Sequence, residues 1–188
     1  MSIRSQLRRQ LSQRRDLPRR SRCAHAFTLI EILIVVTILA IMATIVIPHF
    51  SNASVTAREN MLKDELRYLR TQIIVYKAQH KDVSPGYPGG DVAQPATDTD
   101  FVNQMTKHTD DSGDVTTTAD DSHKFGPYLS SIPENPLNNL RAVQIIADGD
   151  PWPTADGNTY GWFYRPSTGD IIANTPGMDA NSQLYTSY

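Results

Sequence analysis

Hydrophobic and polar positions divide this chain into three regimes. From Phe27 to Ile47 the residues are apolar almost without interruption, and Glu31 is the only charge. About 20 such residues suffice to cross the hydrocarbon core of a bilayer. From Ser54 to His80 the pattern becomes periodic. Leu62, Leu66, Leu69, Ile73 and Tyr76 recur at spacings of four and three, and charged residues fill much of the remaining surface. That spacing predicts one long helix over 27–81 with a narrow apolar stripe on its second half. At 1.5 Å per residue it is about 80 Å long. Pro48 lacks an N–H and is expected to kink or loosen it. The stripe is too short to favour a coiled coil.

The helical pattern stops at Pro85, Pro88 and the adjoining glycines. Residues 91–124 are polar and Asp-rich and read as a long, partly mobile surface loop, with a short helix expected over 101–108 and Asp98 or Asp100 near its start. The last third reads as β. Strands are expected at 140–147, 159–165 and 170–174, the last two joined by the short turn 166–169. Three antiparallel strands alone are marginal. Packed on the helical stripe they close a small α+β core.

Charge sharpens this division. Residues 1–26 hold eight arginines against Asp16, a net +7, which leaves −9 on residues 27–188. Arginines beside an apolar span hold that end in the cytoplasm, so the acidic remainder is expected to be exported. A secretory signal peptide does not fit, because no small-residue cleavage site follows the apolar stretch. Cys23, the only cysteine, has no apolar run before it and does not read as a lipidation site. A plain signal anchor explains the arginines and the span but not Glu31, since a carboxylate in such a segment is costly without a partner.

Arg22-Cys-Ala-His-Ala-Phe-Thr-Leu-Ile-Glu31, followed by the apolar helix, resembles the processing site of type IV prepilins and type II secretion prepseudopilins. The resemblance implies that prepilin peptidase cuts between Ala26 and Phe27 and methylates the new Phe27 amine. It implies that Glu31 pairs with the Phe27 amine of a neighbouring subunit, and that Pro48 is the proline family helices carry. The family usually has Gly where this chain has Ala26. The implied fold is type IV pilin-like, a long N-terminal helix packed on a small C-terminal antiparallel sheet. The implied domains are a leader (1–26), the helix (27–81, with 27–47 the transmembrane and polymerisation part) and an exported domain (82–188). Implied partners are the peptidase, other pilin or pseudopilin subunits and an inner-membrane assembly platform.

Two further segments are similar to major pseudopilins: Gly126-Pro-Tyr-Leu-Ser-Ser-Ile-Pro-Glu-Asn-Pro136 and Asp156-Gly-Asn-Thr-Tyr-Gly-Trp-Phe-Tyr164. Those proteins bind calcium in their C-terminal loops. Carried onto this sequence, the candidate oxygens are Asp148, Asp150, Asp156 and Asn158, hard ligands of the kind calcium takes. The same Asp-Gly and Pro pairs are also ordinary turn chemistry. No other cofactor is implied. His108 and His123 near the Asp-rich loop follow no ligand spacing.

Function classes narrow accordingly. The sequence has no Gly-x-Ser-x-Gly, no His-Glu-x-x-His and no phosphate-binding glycine loop, so no enzyme is expected. The −9 charge disfavours nucleic acid. Residues 27–188 contain no cysteine, so a disulfide-stapled adhesive pilin fits less well than a pseudopilin. The expected role is a pseudopilus subunit of type II secretion, processed and assembled from the inner membrane with its C-terminal domain in the periplasm. The alternatives are a surface type IV pilin and, in a different class, a monomeric membrane-anchored binding domain.

Overall fold

The computed structural model describes residues 27–188, with the backbone alone described at 47–52. The leader, including Ala26 and Cys23, lies outside the described residues, as does the Pro48 side chain. The chain divides into two compact units, one ending at Val46 and one spanning Ile47–Tyr188. Helix α1, Leu29–Gln79, contributes to both.

In the first unit, Leu29–Val46 is an 18-residue helical span of mean hydropathy 2.9 with none of it buried. Its two threonines need no outside partner. Thr37 donates its hydroxyl to the Ile34 carbonyl at 2.8 Å, and Thr44 to that of Ile41 at 2.7 Å. Such back-bonding satisfies a hydroxyl within its own helix.

The second unit is an α+β domain built on the rest of α1. The stripe Leu62, Leu66, Leu69, Ile73 and Tyr76 is fully buried. It packs in one core with Phe101 and Met105, with Tyr128, Leu129 and Ile132, and with Val143, Trp162, Tyr164, Ile171 and Ala173. Each of these branched or aromatic side chains contributes about 1.5–3 kcal/mol on burial. Helix α1 ends two residues before the expected Lys81. Lys81 and Asp82 both take left-handed φ (55° and 65°), and Asp82 N–H reaches the Lys77 carbonyl at 2.9 Å. The reversal is made by the backbone itself, ahead of Pro85.

Helix α2, Asp98–Thr106, starts slightly earlier than expected. Thr97 caps it by accepting the Asp100 N–H at 3.0 Å, and Asp98 and Asp100 lie in its first turn. Two short strands follow, β1 (His108–Thr109) and β2 (Val115–Thr116), paired antiparallel. The acidic segment is therefore less of a free loop than its composition suggests. Buried Gln104 accepts the Gly86 N–H at 2.7 Å and donates to the carbonyls of Tyr87 and Gly113. Gly113 has φ 86°, and a Cβ there would meet the Tyr76 hydroxyl at 2.6 Å, so only glycine fits. Buried His80 stacks on Tyr76 with ring centroids 3.8 Å apart, and its Nε2 lies 3.0 Å from Thr109 Oγ1.

The main sheet has order β3–β4–β5: Val143–Ile145, Trp162–Arg165 and Asp170–Ala173. β4 and β5 form the expected hairpin, with Trp162 opposite Ala173 and Arg165 opposite Asp170. β3 runs parallel to β4, so the sheet is mixed where an antiparallel one was expected. The reason lies in the connections. Residues 166–169 permit only a hairpin, whereas the long link 146–161 is enough for a crossover. Strand propensity carries no information about direction.

Candidate functional site: the processing and assembly segment

Phe27 and Thr28 precede α1, and Phe27 is about three-quarters exposed (74%). Thr28 caps the helix. Its Oγ1 accepts the Glu31 N–H at 3.2 Å, and its carbonyl accepts from the N–H groups of Glu31 and Ile32. Thr28-x-x-Glu31 thus has the spacing of a capping box, with Glu31 at the third helical position. Sequence reading had assigned Glu31 only an assembly role, although the Thr-x-x-Glu signal was there to be read.

The carboxylate itself stays free. Glu31 is exposed, and its side chain makes no hydrogen bond or ion pair among the described residues. In Leu29–Val46 the threonine hydroxyls are satisfied internally, which leaves Glu31 as the one polar side chain there seeking a partner. Cleavage before Phe27 would create such a partner four residues away in sequence. An ammonium at a helix N-terminus is opposed by the helix dipole, and a carboxylate in the first turn offsets that.

Residues 21–47 match the family described as the prokaryotic N-terminal methylation motif. The N-terminal segment is of the type IV prepilin kind. The match takes in the end of the arginine-rich region, Phe27, Glu31 and the apolar helix, and stops at Ile47. No curated protein and no solved structure matches the chain. Proteins of the prepilin kind that carry this motif are structural subunits rather than enzymes, and the motif is one that prepilin peptidase processes.

In the second unit, the segments 126–136 and 156–164 meet. Trp162 Nε1 donates to the Pro133 carbonyl at 3.0 Å. Buried Asn135 donates to the Gly161 carbonyl and to Thr175 Oγ1, both at 2.9 Å. Asn138 donates to the carbonyls of Tyr160 and Asn174. Fully buried Asn174 accepts the N–H groups of Asp156 (2.8 Å) and Gly157 (3.2 Å), and donates to Asp156 Oδ1 (3.0 Å) and the Tyr160 carbonyl (2.9 Å). Three asparagines therefore knit segments 133–138, 156–162 and 173–175. Sequence reading did not single them out, because an asparagine in a loop carries no spacing signal.

Of the candidate calcium ligands, the Asp148 and Asp156 carboxylates accept hydrogen bonds from different residues. Asp148 Oδ1 accepts the Ser167 hydroxyl at 2.9 Å. The Asp150 carbonyl accepts Arg165 Nη2, whose guanidinium lies over Trp152. Asp156 Oδ1 accepts the Asn158 N–H at 3.1 Å as well as Asn174, and these bonds hold its carboxyl below the usual range. Among the described residues no three His, Cys, Asp or Glu side chains form a group that could hold a metal ion. His123 is held by Asp120 at 2.9 Å, an arrangement that raises the imidazole and brings Asp120 down to about 2.

Proposed function

We propose that this chain is a filament subunit of the pseudopilin kind. In this reading prepilin peptidase removes residues 1–26 and methylates Phe27, and an inner-membrane platform assembles the mature chain into a short periplasmic pseudopilus that helps drive protein secretion. The supporting observation is Leu29–Val46, an apolar helical span with none of it buried and one unpartnered carboxylate. A lipid anchor needs only the apolar surface. A carboxylate placed one turn from a freed amine supplies a register point between neighbouring helices, where a lone charge would be heavily penalised. Pro48 belongs to the same assembly segment.

The arginine-rich N-terminus favours a cytoplasmic leader and a periplasmic exported unit. The absence of cysteine from residues 27–188 favours a pseudopilus over a disulfide-stapled surface pilus. Mass spectrometry of the native protein tests the central claim. A mature N-terminus at methylated Phe27, lost when the peptidase is deleted, is expected; an intact leader would leave a simple membrane anchor. Ala26→Gly is expected to process at least as well as wild type, and a bulky residue at that position to block cleavage. Deleting the subunit should abolish secretion of folded proteins and leave surface fibres in place. The opposite pattern would assign it to a pilus.

A further inference from the structure

Two oppositely charged surfaces of the exported unit have no mutual contact. The first is a groove of about 440 Å³ whose lining includes Lys63, Arg67, Arg70, Thr71, Ile74 and Tyr188. Arg70 is fixed by two main-chain oxygens, those of Tyr188 (2.8 Å) and Ile171 (3.0 Å), with Asp170 close enough to act on its charge. Lys63 lies 3.6 Å from Asp179 and over the Tyr188 ring. Arg67 pairs only with Asp64, and both side chains are largely exposed (78% and 74%). Such a pair contributes about 0–1 kcal/mol and is readily exchanged. Ile74 is 65% exposed beside these cations.

The second surface is the segment 110–121. It carries Asp110, Asp111, Asp114, Asp120 and Asp121 and no Lys or Arg. Its tip, Thr117-Thr118-Ala119-Asp120-Asp121, is exposed and made of short side chains. The segment is presented by a fixed frame: Thr109 on His80, Gly113 on Gln104, and Asp111 on Lys81 at 3.1 Å. It is thereby tied to the C-terminal end of α1. Arg67 lies 12 residues before the end of the same helix, about 18 Å back along its axis.

We infer that the acidic tip of one copy docks in the Lys63–Arg67–Arg70 groove of a second copy displaced along the helix axis. The inference rests on the filament reading and names its exported contact. The two surfaces differ, so the contact is heterologous and each copy offers both halves. Repeated without closure, such a contact builds an open helical polymer. Complementary charge sets partner choice and register, and Ile74 gives the groove an apolar floor. The contact weakens as salt rises, because the ion pairs lie at the surface.

The test uses the full chain in its native membrane with Cys23→Ser, so that no natural thiol remains. Thr71→Cys and Ala119→Cys are introduced together, and the cells are oxidised. A ladder of disulfide-linked oligomers is expected from the double variant. Dimers alone are expected when the two single variants are co-expressed, and no cross-link from either single variant by itself. Arg67→Glu should reduce the ladder roughly fivefold, the effect of about 1 kcal/mol, and adding Asp121→Arg should restore it. Glu31-dependent filaments that form without the ladder, or with one indifferent to Arg67→Glu, would overturn this contact and leave the filament reading intact. A leader-bearing, unmethylated chain would overturn both.

Discussion

Replacing Asn174 with alanine is expected to destabilise the α+β unit by about 2–4 kcal/mol. The side chain is fully buried and makes four hydrogen bonds, two accepted and two donated. Not all four losses cost the same. The Tyr160 carbonyl keeps Asn138 as a donor, and the Asp156 carboxylate keeps the Asn158 N–H. The uncompensated groups are the N–H donors of Asp156 and Gly157. An unsatisfied buried donor costs about 1–3 kcal/mol, and partial access to water at this turn keeps the total below the upper sum. For a unit of this size about 1 kcal/mol corresponds to roughly 2–4 °C in Tm, so a fall of about 5–15 °C is expected for a soluble chain starting at Val55. Asn174→Asp separates hydrogen bonding from volume. It keeps both acceptors but turns the amide donor into an oxygen facing the Asp156 carboxylate. At pH 7 it should be at least as damaging as alanine. Below about pH 5 it should recover, because protonation restores a donor; repulsion raises its folded pKa, so the penalty fades as pH falls. A Tm loss under about 2 °C for Asn174→Ala, or wild-type behaviour of Asn174→Asp at pH 7, would refute the reasoning.

Three further outcomes follow from the same geometry. Glu31→Ala should insert and be cleaved normally but assemble poorly, so normal filament yield would leave the carboxylate without its proposed role. Burial holds His80 below its usual pKa, so the folded state favours the neutral ring and stability is lost as pH falls below about 6.5. His123, raised by Asp120, contributes in the opposite sense: its stabilisation is present below about 6.5 and lost as pH rises. His80→Phe should therefore flatten the fall in Tm between pH 7 and 5, and His123→Ala should steepen it; identical slopes in all three proteins would contradict both assignments. Calcium at Asp148, Asp150, Asp156 and Asn158 has to compete with the hydrogen bonds that the Asp148 and Asp156 carboxylates already accept, so equal melting in millimolar calcium and in chelator is expected. A rise with calcium that Asp156→Ala removes would assign the loop to the metal.

The parts legible in the sequence were those written as periodicity. Leu62, Leu66, Leu69, Ile73 and Tyr76 face one side of a helix, and all five are buried. Aromatic-rich Trp162–Arg165 and Asp170–Ala173 flank a four-residue turn, and they form the hairpin. What escaped was decided by connection and by polar side chains. The parallel pairing of β3 with β4 depends on what the link 146–161 does in space. The ordering of the acidic segment depends on Gln104, a single glutamine that reaches Gly86, Tyr87 and Gly113. The asparagine network is of the same kind: Asn135, Asn138 and Asn174 join stretches far apart in sequence, and no local pattern marks them.

At the start of α1 the sequence carries two messages in one residue, and magnitudes separate them. As the third residue of a Thr-capped helix, Glu31 gains about 0.3–1 kcal/mol from the helix dipole. Within an apolar span a charged side chain costs about 2.5–3.5 kcal/mol at the centre of the bilayer, and less toward its edge. The dipole alone therefore does not favour a glutamate over an apolar residue once this segment enters lipid. The capping bond uses the Thr28 hydroxyl and the Glu31 N–H, so the glutamate side chain takes no part in it. Glu31→Gln keeps the cap and the side-chain shape and removes only the charge. If helix capping were the residue's task, this variant would assemble as wild type does. If the carboxylate meets the Phe27 ammonium of a neighbour, Glu31→Gln should be processed and inserted yet fail to assemble, while Thr28→Val, which removes the cap and leaves the charge, should still form filaments.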